Sequence, residues 1–77
     1  MVKFREDSGN IYLDGDDFDL KIDVNRMVYI KNTDDEYYST IDVEIPKGYK
    51  RQEKERYLAI LYEKIRDKKL EQSRLEA

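Results

Sequence analysis

The chain has 77 residues, 43% of them charged, with 18 acids against 15 bases, a net charge of −3, and no Cys, His or Trp. At this length one small domain is the ceiling. Without Cys there is no disulfide framework, thiol nucleophile or thiolate metal site, and without His there is no imidazole base, so serine–histidine and cysteine–histidine chemistry are excluded.

Val2 and Phe4 alternate with Lys3 and Arg5, the pattern of a short strand. No apolar run of signal-peptide length follows. Asp7-Ser8-Gly9-Asn10 is a dense turn signal, after which Ile11-Tyr12-Leu13 is expected to return antiparallel as a second short strand. Asp14-Gly15-Asp16-Asp17 breaks the chain again. Phe18, Leu20, Ile22 and Val24 then alternate with Asp19, Lys21 and Asp23, which is the clearest strand, with one apolar and one charged face. Asn25-Arg26 reads as a two-residue turn. Met27–Lys31 forms the next strand, with Val28 and Ile30 on one face, and residues 32–36 form a polar loop. From Tyr37 to Ile45 the alternation returns, with Ile41, Val43 and Ile45 on one side and Thr40, Asp42 and Glu44 on the other, until Pro46 ends the strand.

Gly48 is a tolerable N-cap for a helix starting near Lys50. Tyr57, Leu58, Leu61, Tyr62 and Ile65 fall within one stripe of that helix. Beyond Ile65 the stripe carries Lys68, Lys69 and Gln72, so the helix is expected to leave the core near Arg66, with a frayed tail. The longest apolar runs, Val28–Ile30 and Leu58–Tyr62, fall short of the ~20 residues that span a bilayer, and a soluble, cytoplasmic protein without membrane association is expected.

These elements predict a single α+β domain over residues 1–77: an antiparallel β-meander of three main strands plus a short N-terminal hairpin, with one C-terminal helix packed on one face. The expected core is Phe18, Leu20, Ile22, Val24, Val28, Ile30, Ile41, Val43 and Ile45 against Leu58, Leu61 and Ile65.

The modest net charge hides a polarised chain. Residues 1–46, the sheet part, carry 12 acids and 5 bases, whereas residues 47–77, the helical part, carry 6 acids and 10 bases. Asp14, Asp16, Asp17 and Asp19 lie within six residues, and Asp34-Asp35-Glu36 are consecutive. Asp23, Asp42 and Glu44 are expected on the sheet face away from the helix. Turn chemistry alone accounts for many of these acids. As a functional set they make a negative surface suited to a basic partner, and Tyr29, Tyr37 and Tyr38 lie near it, with Tyr29 and Tyr38 joining the candidate contacts.

Other chemistries fit less well. An EF-hand starting at Asp14 would place Phe18 at its fifth position, Asp19 where Gly is needed and Asn25 where the bidentate Glu belongs. No deep cleft is expected to pair carboxylates for hydrolysis. No phosphate-binding glycine motif occurs. The chain is therefore expected to be non-enzymatic, with no metal and no cofactor. Nucleic-acid binding through the basic helix, from Lys47, Lys50, Arg51, Lys54 and Arg56 to Lys69, is an alternative, although phosphates would be repelled by Asp19, Asp23, Asp42 and Glu44 on the sheet. A further alternative is a structural or assembly protein that forms a homodimer through the helix, with Ile60 and Leu70, both off the apolar stripe, as its seam.

A short chain rich in Asp, Glu, Lys, Tyr and Ile, starting with Met and lacking Cys, His and Trp, resembles the small phage-encoded early proteins that bind and disable a host factor. The resemblance is one of composition over the whole chain and carries over no family residues. It implies an inhibitor acting in the host cytoplasm, in which the carboxylates of the Asp14–Asp19 cluster, of Asp34-Asp35-Glu36 and of Asp23, Asp42 and Glu44 stand in for DNA phosphates. The implied partner is a basic, DNA-binding protein.

Overall fold

The computed structural model describes the backbone of residues 2–76 and the side chains of residues 2–69. Five strands, β1 (Lys3–Asp7), β2 (Asn10–Asp14), β3 (Phe18–Ile22), β4 (Met27–Asn32) and β5 (Ser39–Glu44), precede one helix, α1 (Arg51–Glu76). The strands form one antiparallel sheet in the order β1-β2-β3-β4-β5. The fold is thus α+β, with α1 on one face and packed mainly against β2 and β3.

The N-terminal hairpin is no appendage. Ser8 and Gly9 both have positive φ, 53° and 83°, as a tight two-residue hairpin turn requires, and Asp7 pairs with Asn10 across it. This turn delivers β2 into the sheet interior, paired on both sides, and Ile11 and Leu13 become part of the core. Three residues, Ile11-Tyr12-Leu13, are too short a pattern to show that role. The core comprises Ile11, Leu13, Phe18, Leu20, Ile22, Val28, Ile45, Leu58 and Tyr62. Ile30, Ile41, Val43, Leu61 and Ile65, expected at its centre, are only partly buried against it.

Val24 is the clearest departure from the alternation. It is 64% exposed. Between the paired Asp23 and Met27 the turn has three residues, Val24-Asn25-Arg26, rather than the expected two. The Arg26 amide donates to the Asp23 carbonyl, Arg26 takes φ 68°, and the Asp23 amide donates to the Met27 carbonyl. That is a turn closed by one left-handed residue. Asp23 holds it, its Oδ1 accepting from the amides of Asn25 (2.9 Å) and Met27 (3.0 Å). The turn lifts Val24 out of the strand and sets it against Gly9, where a Cβ would lie 2.7 Å from Val24 Cγ1.

A register shift between Met27 and Val28 alters β5. Met27 pairs with Glu44 but Val28 pairs with Ile41, so Asp42 and Val43 bulge between them.

At the start of α1 the Lys54 amide donates to the Lys50 carbonyl, and the Glu53 carboxylate accepts from the Lys50 amide at 3.4 Å. Lys50 therefore takes the cap position expected of Gly48, with Glu53 supplying the returning half of a capping box. Gly48, at φ 88°, turns the chain two residues earlier.

Tyr62 anchors the helix. Its ring stacks on Phe18 with centroids 4.4 Å apart, and its hydroxyl accepts from the Asp16 amide at 3.2 Å. A Cβ on Gly15 would lie 2.4 Å from the Tyr62 ring and 2.5 Å from the Phe18 carbonyl oxygen, so this close approach requires glycine. The helix also keeps contact with the sheet beyond Arg66, because Lys69 lays its ammonium 4.8 Å from the Phe18 ring centre and donates to Asn32 Oδ1 at 3.5 Å. A lysine in the apolar stripe serves this purpose by covering apolar surface with its stem. The Leu70 side chain and the rest of the expected frayed tail's side chains lie outside the described residues.

Candidate interaction surface

Strand alternation and register decide what the outer sheet face displays. One row across it reads Arg5, Tyr12, Lys21, Tyr29 and Thr40, and the next reads Lys3, Asp14, Asp19 and Lys31. The face is a lattice of tyrosines, cations and acids. The Lys21 ammonium sits 4.6 Å from the Tyr29 ring centre, 4.9 Å from that of Tyr38 and 5.9 Å from that of Tyr12. Arg5 stacks 4.0 Å over Tyr12, and Lys31 lies 5.7 Å from Tyr38. Cations at these distances are attracted by the ring faces.

The acids of this face have partners within the fold. Asp14 binds Arg5 at 2.8 Å, and Glu44 binds Arg26 at 3.1 Å. Asp19, buried beneath the lattice, binds Lys31 at 3.1 Å and accepts from the Gly15 amide at 3.0 Å. Asp23 accepts the Tyr29 hydroxyl at 2.7 Å. Burial alone would raise the Asp23 carboxyl, but the Tyr29 hydroxyl, the Met27 and Asn25 amides and Lys21 hold it below the ordinary carboxylate range. The same hydrogen bond raises the Tyr29 phenol. Burial, followed by the charges of Asp19 and Asp14, raises that of Tyr38. The outer face therefore balances its acids with bases, and most of its carboxylates are neutralised in space. Asp42, exposed on the β5 bulge, sits at its margin.

The other expected acids gather elsewhere. The Thr33 amide donates to the Asp17 carbonyl and the Thr33 hydroxyl to the Asp16 carbonyl, each at 3.3 Å. These two bonds clip the β2–β3 loop to the β4–β5 loop. Asp16, Asp17, Asp34, Asp35 and Glu36 thus share one end of the sheet, where all five are exposed. Asp35 accepts from the Asn32 amide group at 3.2 Å. Among the described residues, Asp17, Asp34, Asp35 and Glu36 form no salt bridge. Beside them Tyr37 is 81% exposed.

The structure thus divides the candidate set. Asp14, Asp19, Asp23, Glu44, Tyr29 and Tyr38 belong to the outer lattice, and Asp16, Asp17, Asp34, Asp35 and Glu36 to the loop end. Tyr37, adjacent in sequence to Tyr38, is the aromatic that the loop end presents to solvent. The strand limits carry the distinction, since β5 begins at Ser39 and Tyr38 already folds over the sheet face.

Among the described residues no group of carboxylates is arranged to hold a metal ion, and no helix is long and apolar enough to cross a membrane. No family model matches the chain, and no curated protein or solved structure matches it significantly.

Proposed function

We propose that this protein is a non-enzymatic binding module that inhibits or modulates a basic, nucleic-acid-binding protein in the manner of a DNA mimic. The contact centres on the loop end, not on the whole sheet face. The observation that carries the reading is the Thr33 clip, which holds two acidic loops side by side and concentrates five carboxyl groups beside an exposed tyrosine. Asp17, Asp34 and Glu36, with no salt bridge among the described residues, keep their charge available to a partner, whereas the acids of the lattice are already matched to Arg5, Lys31 and Arg26. A concentrated negative field raises encounter rates with a positive surface, and an exposed aromatic supplies contact area once the two meet.

The test joins capture to competition. The protein is used to retain partners from a lysate at low and moderate salt, and each retained DNA-binding protein is then challenged for release from duplex DNA. The reading expects release by the wild-type chain and none by a variant carrying Asp16→Asn, Asp17→Asn, Asp34→Asn, Asp35→Asn and Glu36→Gln. Equal competition by that variant would defeat it. So would a band shift of duplex DNA by the protein itself that is lost on neutralising Lys50, Arg51 and Lys54, since that outcome makes the chain a nucleic-acid binder.

A further inference from the structure

The helix covers β2 and β3, and among the described residues one of its flanks stays largely open to solvent. Glu53, Tyr57, Ile60 and Lys64 recur at spacings of three and four, which brings them onto that flank. Ile60 is 48% exposed there, and Tyr57 and Leu61 are only half-buried. A groove of about 400 Å³ runs past Tyr49, Glu53, Arg56, Tyr57 and Ile60. It adjoins a smaller depression of about 60 Å³ lined by Tyr57, Ile60, Leu61 and Lys64. Tyr57 and Ile60 are common to both, so the flank has a continuous apolar centre. Its rims carry charge of opposite sign, with Glu53 toward the start of the helix and Lys64 toward its end.

We infer that this flank is a self-association surface and that its occupant is a second copy of the same chain, crossing antiparallel. Charge complementarity selects this occupant and this orientation. A two-fold axis passing between Leu58 and Ala59 sets Tyr57 against the partner's Ile60 and Glu53 against the partner's Lys64. The same axis brings Lys50 opposite the partner's Asp67, and two-fold symmetry repeats every pairing. A parallel crossing would instead face Glu53 with Glu53 and Lys64 with Lys64, which like-charge repulsion disfavours. Apolar residues thus meet at the centre and opposite charges at the rim, the usual anatomy of a specific interface. Because the acidic loop end lies toward the Tyr62–Lys69 half of the helix, the antiparallel pair carries its two acidic ends at opposite poles.

Sedimentation velocity on the full chain across a concentration series tests this, with circular dichroism confirming that each variant keeps its helix and sheet. The wild type is expected to sediment as a dimer that dissociates on dilution, and Ile60→Asp as a monomer at every concentration. Lys64→Glu and Glu53→Lys are each expected to weaken self-association about tenfold or more. An equimolar mixture of these two variants is expected to regain it. One chain then carries acids at both rim positions and the other carries bases at both, so every rim pairing again joins opposite charges. The chain has no Cys, so introduced thiols report orientation directly. A Tyr57→Cys chain mixed with an Ile60→Cys chain should give the mixed disulfide in preference to either symmetric one. A wild-type chain that stays monomeric overturns the inference. So does a dimer indifferent to Ile60→Asp, or a charge-variant mixture that stays monomeric. Preferential symmetric disulfides would overturn the antiparallel crossing.

Discussion

Two acid-rich regions of this chain look alike in sequence and behave oppositely in space. On the outer sheet face Asp14, Asp19, Asp23 and Glu44 each meet a cation, a hydroxyl or a backbone amide from a neighbouring strand or turn. At the loop end Asp17, Asp34 and Glu36 extend from turns that hold no basic residue, and no cation among the described residues pairs with them. The difference is one of register. A strand pair places each side chain beside a fixed neighbour about 5 Å away, so acids and bases compensate wherever the pairing matches them. A loop imposes no such pairing. Acids engaged by a facing strand or by a turn's own amides, as Asp23 is, are therefore absorbed into stability, and the acids of the two clipped loops remain available for recognition.

The comparison breaks most visibly at Asp19. Its carboxylate lies beneath the lattice between Lys31 and the Gly15 amide. Asp19→Ala is expected to cost about 2–3 kcal/mol in chemical denaturation, because it strands a shielded ammonium and a backbone donor. A loss under about 0.5 kcal/mol, the size of an ordinary surface substitution, would mean that the lattice is ornamental. Next comes Gly15→Ala, expected to cost about 2 kcal/mol, since the new methyl collides with the Tyr62 ring and with a backbone oxygen that cannot move aside. This substitution separates helix docking from charge, as it alters no ionisable group.

Asp23 sharpens the contrast through pH. Its folded-state carboxyl titrates below the ordinary value of 3.8. A group depressed in this way adds stability that is present above the unfolded-state value and is lost as pH falls through the folded-state one. Asp23→Asn is thus expected to cost about 1 kcal/mol at neutral pH, from weakened hydrogen bonds, with the gap to the wild type closing below about pH 4. Tyr29→Phe should move the Asp23 titration, followed by NMR, upward toward its ordinary value. An unmoved titration would show that the Tyr29 hydroxyl does not stabilise the carboxylate. The smallest effect is expected at the loop end, where neutralising Asp34, Asp35 and Glu36 together should change stability by less than about 0.5 kcal/mol. A large loss there would erase the distinction between the two regions.

Much of the architecture is legible in the residues. The alternation of Phe18, Leu20 and Ile22 with Asp19 and Lys21 specifies β3 and its two faces, and the stripe of Leu58 and Tyr62 orients α1. Val24 is misleading because it continues the same alternation. Only the capture of two turn amides by Asp23 ends the strand at Ile22. The weight of Ile11 and Leu13 is hidden because a strand's depth depends on what pairs with it on both sides, and β1 and β3 are the flanks that bury β2. The candidate acids are all identifiable as charges, but their division into two groups is not.

The sequence by itself determined the elements, their order and the two-layer α+β arrangement, because hydrophobic periodicity and turn residues are local signals that neighbouring residues settle among themselves. Tertiary structure alone decided which acids are neutralised. A salt bridge such as Lys31 to Asp19 or Arg5 to Asp14 joins residues on different strands, and the Thr33 clip joins two loops separated along the chain. Whether such groups meet depends on strand register, and a one-residue slip would turn every partner to the opposite face.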